Sequence, residues 1–246
     1  MIEYLTIPNE IMNRKSPLHY ALFDFKNNAE FKLFITILAY STMIYRTTKK
    51  ESEHYFSVKG FLGENSIISR NNMTAKKIII FVNKLESPFF DKIEVIANEI
   101  HFKLSRKYKK DLKNNGFEKI NIIDLKPISD IRSSKLLVLT EMKKEGYFDY
   151  YYLCKVLDLN GIKRRDNKIA KIKKAFKNIE VEFDYKHPKN QNEKREEEHY
   201  KFFYSKVNLE SDNGKEVDIF SEYNINEVFS IDDFDLDQLV DNSLKS

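Results

Sequence analysis

An α+β, helix-rich fold of two tandem winged-helix domains is what the sequence predicts, on three observations. The first is a basic amphipathic helix, entered through Gly161-Ile162-Lys163-Arg164-Arg165 and continuing to Ile179. Ile169, Ile172, Phe176 and Ile179 recur at steps of three or four, giving one apolar stripe. Lys168, Lys171, Lys174 and Lys177 fall off that stripe, and Arg164 and Arg165 stand at its N-terminal end. Alone, this pattern also fits a solvated surface helix. The second observation lies immediately C-terminal to the helix: two strand-like runs, 180–186 and 199–207. Their connecting loop, 186–198, carries His187, Lys189, Lys194 and Arg195 in the manner of a wing. The third is that the same order of elements occurs once before, in the first half of the chain.

Composition bounds the possibilities. The chain has 246 residues, room for two small domains, and is 41% hydrophobic, enough to build cores. Gly and Pro are scarce and Trp is absent. The net charge of +4 conceals an asymmetry: residues 208–246 hold 11 acidic and 2 basic residues, so 1–207 carry +13. A basic body with an acidic tail points to a polyanionic partner. The one cysteine, Cys154, reads as a small core residue in a reducing compartment. No apolar run approaches the roughly 18 residues of a membrane span, and the N-terminus lacks a signal-peptide pattern, so the expected location is cytoplasmic, with no membrane partner.

In chain order, residues 1–26 read as an irregular lead-in. Asn27 and Glu30 form a capping pair for a buried helix over 28–45, apolar nearly all round. A polar loop over 46–54 leads to a short helix that starts at Ser57 and runs through Leu62, broken by Gly63-Glu64-Asn65-Ser66. Ser69 reads as the N-cap of a longer helix reaching Glu86, with Ala75, Ile78, Ile79, Val82 and Leu85 inward. Its first turns offer Arg70, Asn71, Asn72, Thr74, Lys76 and Lys77 outward. Residues 92–96 and 99–104 alternate about Ala97-Asn98 as a β-hairpin. A basic connector spans 106–126. The order then repeats: a helix over 133–145 with Gly146 at its C′ position, a short helix over 150–157 capped by Asp149, the basic helix, and the closing hairpin. The expected division is 1–124, an N-terminal winged-helix domain with connector; 125–207, a C-terminal winged-helix DNA-binding domain; and 208–246, an acidic, flexible tail.

Three stretches of the second half carry a family resemblance. They are Ser133-Ser134-Lys135-Leu136-Leu137-Val138-Leu139, Val156-Leu157-Asp158-Leu159, and Lys173-Lys174-Ala175-Phe176-Lys177-Asn178-Ile179-Glu180-Val181. Leucine-rich helix, glycine, short helix ending in Leu-x-Leu, basic helix, strand: this tract resembles the iteron-binding plasmid replication initiators, the initiator Rep family. Ile100-His101-Phe102-Lys103-Leu104 followed by Tyr108 is similar to the strand and connector that close the family's first domain. The resemblance covers most of 1–207 through loose motifs. The chain departs from it at Leu137–Leu139, near which the family usually has a Tyr, and in its acidic tail.

The resemblance implies monomers that bind directly repeated origin sites and dimers that bind an inverted repeat and repress their own gene. Mapped here, Arg164, Arg165, Lys168, Lys171 and Lys174 would contact DNA from the second domain. Arg70, Asn71, Asn72, Lys76 and Lys77 would do so from the first, and Lys194 and Arg195 from the wing loop. Asn and Arg suit base edges, whereas the lysines suit phosphates. The expected partners are double-stranded DNA, a second copy of the chain, and host replication proteins (helicase, initiator ATPase, sliding clamp).

Catalytic chemistry is not expected. His19, His54, His101, His187 and His199 are scattered, without metal-ligand spacing, and no phosphate-binding GxxxxGK[ST] loop occurs. Tyr150, Tyr151 and Tyr152 read as core or wedge residues, and no metal or other cofactor is expected. In the tail, Phe229, Ile231, Phe234, Leu236, Leu239 and Val240 alternate with acids, as in segments that fold on a partner. Three roles stay open for it: a clamp or helicase contact through Gln238-Leu239, solubilisation, or competition with DNA for the basic body. Two functions other than initiation also stay open, a tandem winged-helix transcriptional regulator and a winged-helix scaffold for protein partners.

Overall fold

The computed structural model describes residues 3–48, 53–61, 66–68, 73–114, 116–186 and 200–206. Within them the chain is an α+β protein. Its elements are β1 (Tyr4–Pro8), α1 (Pro17–Phe23), α2 (Asn28–Thr48), β2 (His54–Ser57), α3 (Ala75–Lys84), β3 (Phe90–Ile96), β4 (Glu99–Leu104), α4 (Arg106–Asn114) and β5 (Phe117–Asn121). Then come α5 (Ile131–Met142), β6 (Glu145–Asp149), α6 (Tyr150–Val156), α7 (Arg165–Asn178), β7 (Glu182–Lys186) and β8 (Lys201–Ser205). The strands form three antiparallel sheets, ordered β1-β5, β2-β4-β3 and β6-β8-β7.

The second and third sheets are built alike. Each belongs to a unit with the order helix, strand, short helical turn, longer helix, two strands, and in each the first strand pairs with the last. In the first copy α2 is the long helix, and a 3₁₀ turn over Val58–Phe61 precedes α3. In the second copy these places are taken by α5, α6 and α7. Local chemistry sets the boundaries. Asn27 accepts the amides of Ala29 and Glu30 at 2.8 and 3.3 Å, which caps α2. Asp130 caps α5 through the amide of Ser133 at 3.0 Å. Ala97 and Asn98, at φ 49° and 63°, make the tight turn of β3-β4, where two consecutive positive φ angles match the twist of the paired strands.

Several sequence expectations are corrected. The lead-in is ordered: β1 pairs with β5, so the expected connector returns to the N-terminus and contributes both a helix and a strand. Of the loop expected over 46–54, 46–48 belong to α2 and His54 opens β2, while 49–52 lie outside the described residues; Ser57 closes that strand. The helix expected from Ser69 begins at Ala75. Its N-cap is Thr74, in extended conformation and accepting the amide of Lys77. Helix α5 starts two residues before its expected Ser133 and ends at Met142, because Lys143 turns extended at φ −138°. Gly146 therefore lies in β6, at φ +131°, and not at a helix C′ position. The break at 63–65, Ser69, Arg70, Asn71, Asn72, the loop with Lys194 and Arg195, and the tail 208–246 lie outside the described residues.

The two copies meet over a continuous apolar core, α2 against α5, with α5 also packed on β5 and α1 in contact with α6 beside them. Arg14 donates to Asp149 at 2.6 Å, and its guanidinium lies 3.8 Å from the Tyr152 ring centre. Asp149 also caps α6, accepting the amide of Tyr152 at 2.7 Å. His19 is buried beneath this pair. Its Nδ1 donates to the Ile11 carbonyl at 2.6 Å, so Nε2 carries no proton and accepts the Tyr152 hydroxyl at 3.0 Å. Two carbonyls of the link 122–130 hold the other side, where Asn28 and Lys32 donate to Ile128 and Lys126 at 3.0 and 3.2 Å.

Burial, with Arg14 and Lys155 adding repulsion, pushes the His19 pKa from 6.5 to about 4. The unfolded chain thus binds the extra proton first as pH falls. His19's contribution is intact above about pH 6.5, and about 3 kcal/mol of stability is lost as pH drops to about 4. Urea unfolding of His19→Gln should show a shallower loss across that window than the parent protein. Parallel curves would refute a neutral, buried His19.

Candidate nucleic-acid interface

Helix α7 and the two residues before it present a run of exposed cations, Lys163, Arg164, Lys171, Lys174 and Lys177, on an element that the fold holds against a sheet. It begins after Arg164, an extended N-cap at φ −86° and ψ 125°, and carries Asp166 in its first turn and Lys177 in its last, both favourable to the helix dipole. Ile172, Ala175 and Phe176 are buried. The Phe176 ring stacks on Phe183 at 4.8 Å and on Phe202 at 6.1 Å, fastening α7 to β7 and β8. Asn178 donates to Ser133 at 3.0 Å, tying the C-terminal end to α5.

At about 100° per residue, the side opposite Phe176 carries Asn167, Ala170, Lys171 and Lys174, with Lys177 at its edge, and all five are exposed. Arg164 and Lys163 are exposed just before the first turn, and Lys168 sits half-buried on the flank. Arg165 points toward the packed side, with its guanidinium 5.0 Å from the Tyr200 ring centre. Lys173 similarly lies over Tyr185 at 4.8 Å, and Tyr185 stacks on Tyr200 at 6.0 Å. Of the five residues expected from this helix region, then, Arg164, Lys171 and Lys174 are fully outward, Lys168 partly so, and Arg165 braces the hairpin. Asn167 and Ala170 belong to the exposed ridge although a search for cations does not find them. The signal is spacing: Asn167 lies four and seven residues before Lys171 and Lys174, and Ala170 lies four before Lys174.

The corresponding helix of the first copy, α3, presents a different surface. Ile78 and Val82 are buried. Lys76, Lys77, Ile80, Asn83 and Lys84 are exposed, Ile80 at 45%. Asn83 accepts the Val95 amide at 2.9 Å, joining α3 to β3. Beside α3 runs an open groove of about 780 Å³ with Phe25, Phe81 and Leu85 in its walls. Its rim mixes Lys26, Lys77 and Lys84 with Asp24, Glu30 and Glu86.

Tyr150 and Tyr152 are buried, and Tyr151 is half exposed. Cys154 is buried in α6. Among the described residues no group of three or more His, Cys, Asp or Glu side chains is placed to hold a metal ion, and no helix is long and apolar enough to cross a membrane. Comparison with protein-family models and with curated proteins returns no match.

Proposed function

We propose that the chain is a sequence-specific duplex-DNA-binding protein of two tandem winged helices, acting without catalysis in the cytoplasm as a plasmid replication initiator. One observation carries the DNA reading. A 14-residue helix is locked to a three-stranded sheet on one face, while the opposite face presents Asn167, Ala170, Lys171, Lys174 and Lys177. A helix of that build fits the major groove. Asn167 is suited to an adenine edge, and Ala170 leaves room for a thymine methyl. Lys171, Lys174 and Lys177 reach phosphates and fix the register.

The repetition of element order and sheet order in the two copies supports a tandem winged-helix reading. The resemblance of 133–139, 156–159 and 173–181 to the plasmid initiators favours directly repeated origin sites as the target, with a dimer form that represses its own gene. A transcriptional regulator would use the same residues for the same contacts. Host replication proteins fit a partner surface on the first copy, where exposed Ile80 and the mixed-charge groove suit a protein better than a phosphate backbone.

Selection of bound duplexes from a random pool, at two salt concentrations, tests this reading. One enriched motif, recurring as direct repeats beside the gene, supports initiation; a single copy at a promoter supports the regulator. Retention of all sequences alike would reduce the protein to a non-specific cation surface, and no retention would remove the DNA reading. Plotting log affinity against log salt adds a residue-level check. Lys174→Ala should lower the slope by about 1 while leaving the enriched motif unchanged. An unchanged slope would place Lys174 away from phosphate.

A further inference from the structure

The described chain leaves the fold beside the basic helix. The Lys206 amide donates to the Lys144 carbonyl at 2.8 Å, and its ammonium pairs with Glu141. Lys206 also lines one cleft together with Asn178, Ile179 and Glu180, the residues that close α7. Beyond this point come residues 208–246, with 11 acidic and 2 basic side chains, densest in Asp232-Asp233-Phe234-Asp235-Leu236-Asp237.

Length and charge both fit a contact within the same molecule. Helix α7 has 14 residues, about 21 Å from end to end. Asp232 lies 26 residues beyond Lys206, and a random-coil chain of that length spans about 25–30 Å. The acidic cluster can therefore reach Lys171 and Lys174 from an anchor at the C-terminal end of the helix. Tethering holds it there at an effective concentration on the order of millimolar.

We propose that the acidic segment 208–246 docks in cis on the exposed ridge of α7, through Asp232, Asp233, Asp235 and Asp237 against Lys171, Lys174 and Lys177. It thereby competes with any polyanion for that ridge. The competition with DNA rests on the function proposed above; the docking itself does not. Duplex DNA would have to displace the segment, so part of its counterion release is offset by re-exposed carboxylates. Non-specific duplexes, which gain only phosphate contacts, would suffer more than a specific site that adds base contacts. The segment would then act as a filter for sequence.

The test begins without DNA. A zero-length carbodiimide cross-linker is applied to the full chain at about 50 mM and at about 0.5 M salt, with peptide mapping of the products. The expected result is intramolecular links from Asp232–Asp237 to Lys171–Lys177 at low salt that disappear at high salt. Links running instead to Arg106–Asn114, whose Lys107, Lys110 and Lys113 form another basic surface, or no links at all, would overturn the proposal. In a second arm the full-length variant Asp232→Asn, Asp233→Asn, Asp235→Asn, Asp237→Asn is titrated with random-sequence duplex and with heparin. Affinity for both should rise about fivefold or more at low salt, with the gain shrinking as salt rises. No gain toward either overturns the competition. Cross-links with gain toward heparin, but no duplex binding by either protein, would sustain the docking and reject the DNA function.

Discussion

If the proposed function holds, replacing both Lys171 and Lys174 by glutamate should lower duplex affinity on the order of a hundredfold. The two side chains are exposed, three residues apart on one ridge of α7, and in the proposed complex each reversal would remove a phosphate partner and add a repelling charge. A loss of roughly 1–2 kcal/mol at each position reaches that magnitude at low salt. Because neither side chain is buried, the double variant should unfold at the same urea concentration as the parent. That separates a lost contact from a lost fold. Asn167→Ala provides a contrasting signature: the same salt slope, a loss of about 1–3 kcal/mol on the selected motif, and relaxed choice at one base position. Full affinity in the double glutamate variant, with folding intact, would remove α7 from the interface.

Phe176→Ala costs about 3–5 kcal/mol of folding stability, a large share of what a domain of this size has. Its ring is fully buried between α7 and the sheet, in contact range of Phe183, Phe202 and Tyr204. Truncation leaves a cavity that those rings cannot all close, since Tyr204 is itself held by its hydroxyl, which donates to the Lys143 carbonyl at 2.9 Å. Phe176→Leu should recover more than half of the loss. Trp is absent, so far-UV circular dichroism in urea is the measurement. A loss below about 1 kcal/mol would mean that α7 is held mainly by other contacts.

The range of each interaction decides how much of the fold is legible in the sequence. Helices α2, α6 and α7 are legible because their stripes, caps and apolar content are local, and the β3-β4 hairpin because its turn and alternation are adjacent. Strand β1 is not. Only Leu5 and Ile7 alternate before Pro8, and its partner β5 begins at Phe117. Strands β2 and β6 are likewise short, with partner residues 42 to 60 positions further on. Ser69 and Thr74 are both competent caps; the described fold uses Thr74, with Met73 and Ile67-Ile68 buried just before it.

At the candidate site, counting cations places Arg165 with Arg164. Helical angle separates them. Arg165, Ile169 and Ile172 share one side at four and seven residues' spacing, so Arg165 turns toward Tyr200. The aromatic stack of Tyr185 and Tyr200 beneath it depends on the register of two strands separated in sequence by residues 187–199, which no local pattern supplies.

Both three-stranded sheets place their last strand in the middle, and for the second sheet that strand is β8. During synthesis, β6 and β7 leave the ribosome with nothing between them until residues 201–205 arrive. Helix α7 meanwhile lacks the Phe202 and Tyr204 rings against which Phe176 packs. This half of the protein therefore completes its folding after its final strand has been made, at a pace set by a closure spanning more than 50 residues. A nonsense codon at Tyr200 should leave an aggregation-prone chain with two unsatisfied strand edges, whereas one after Lys206 should spare the sheet.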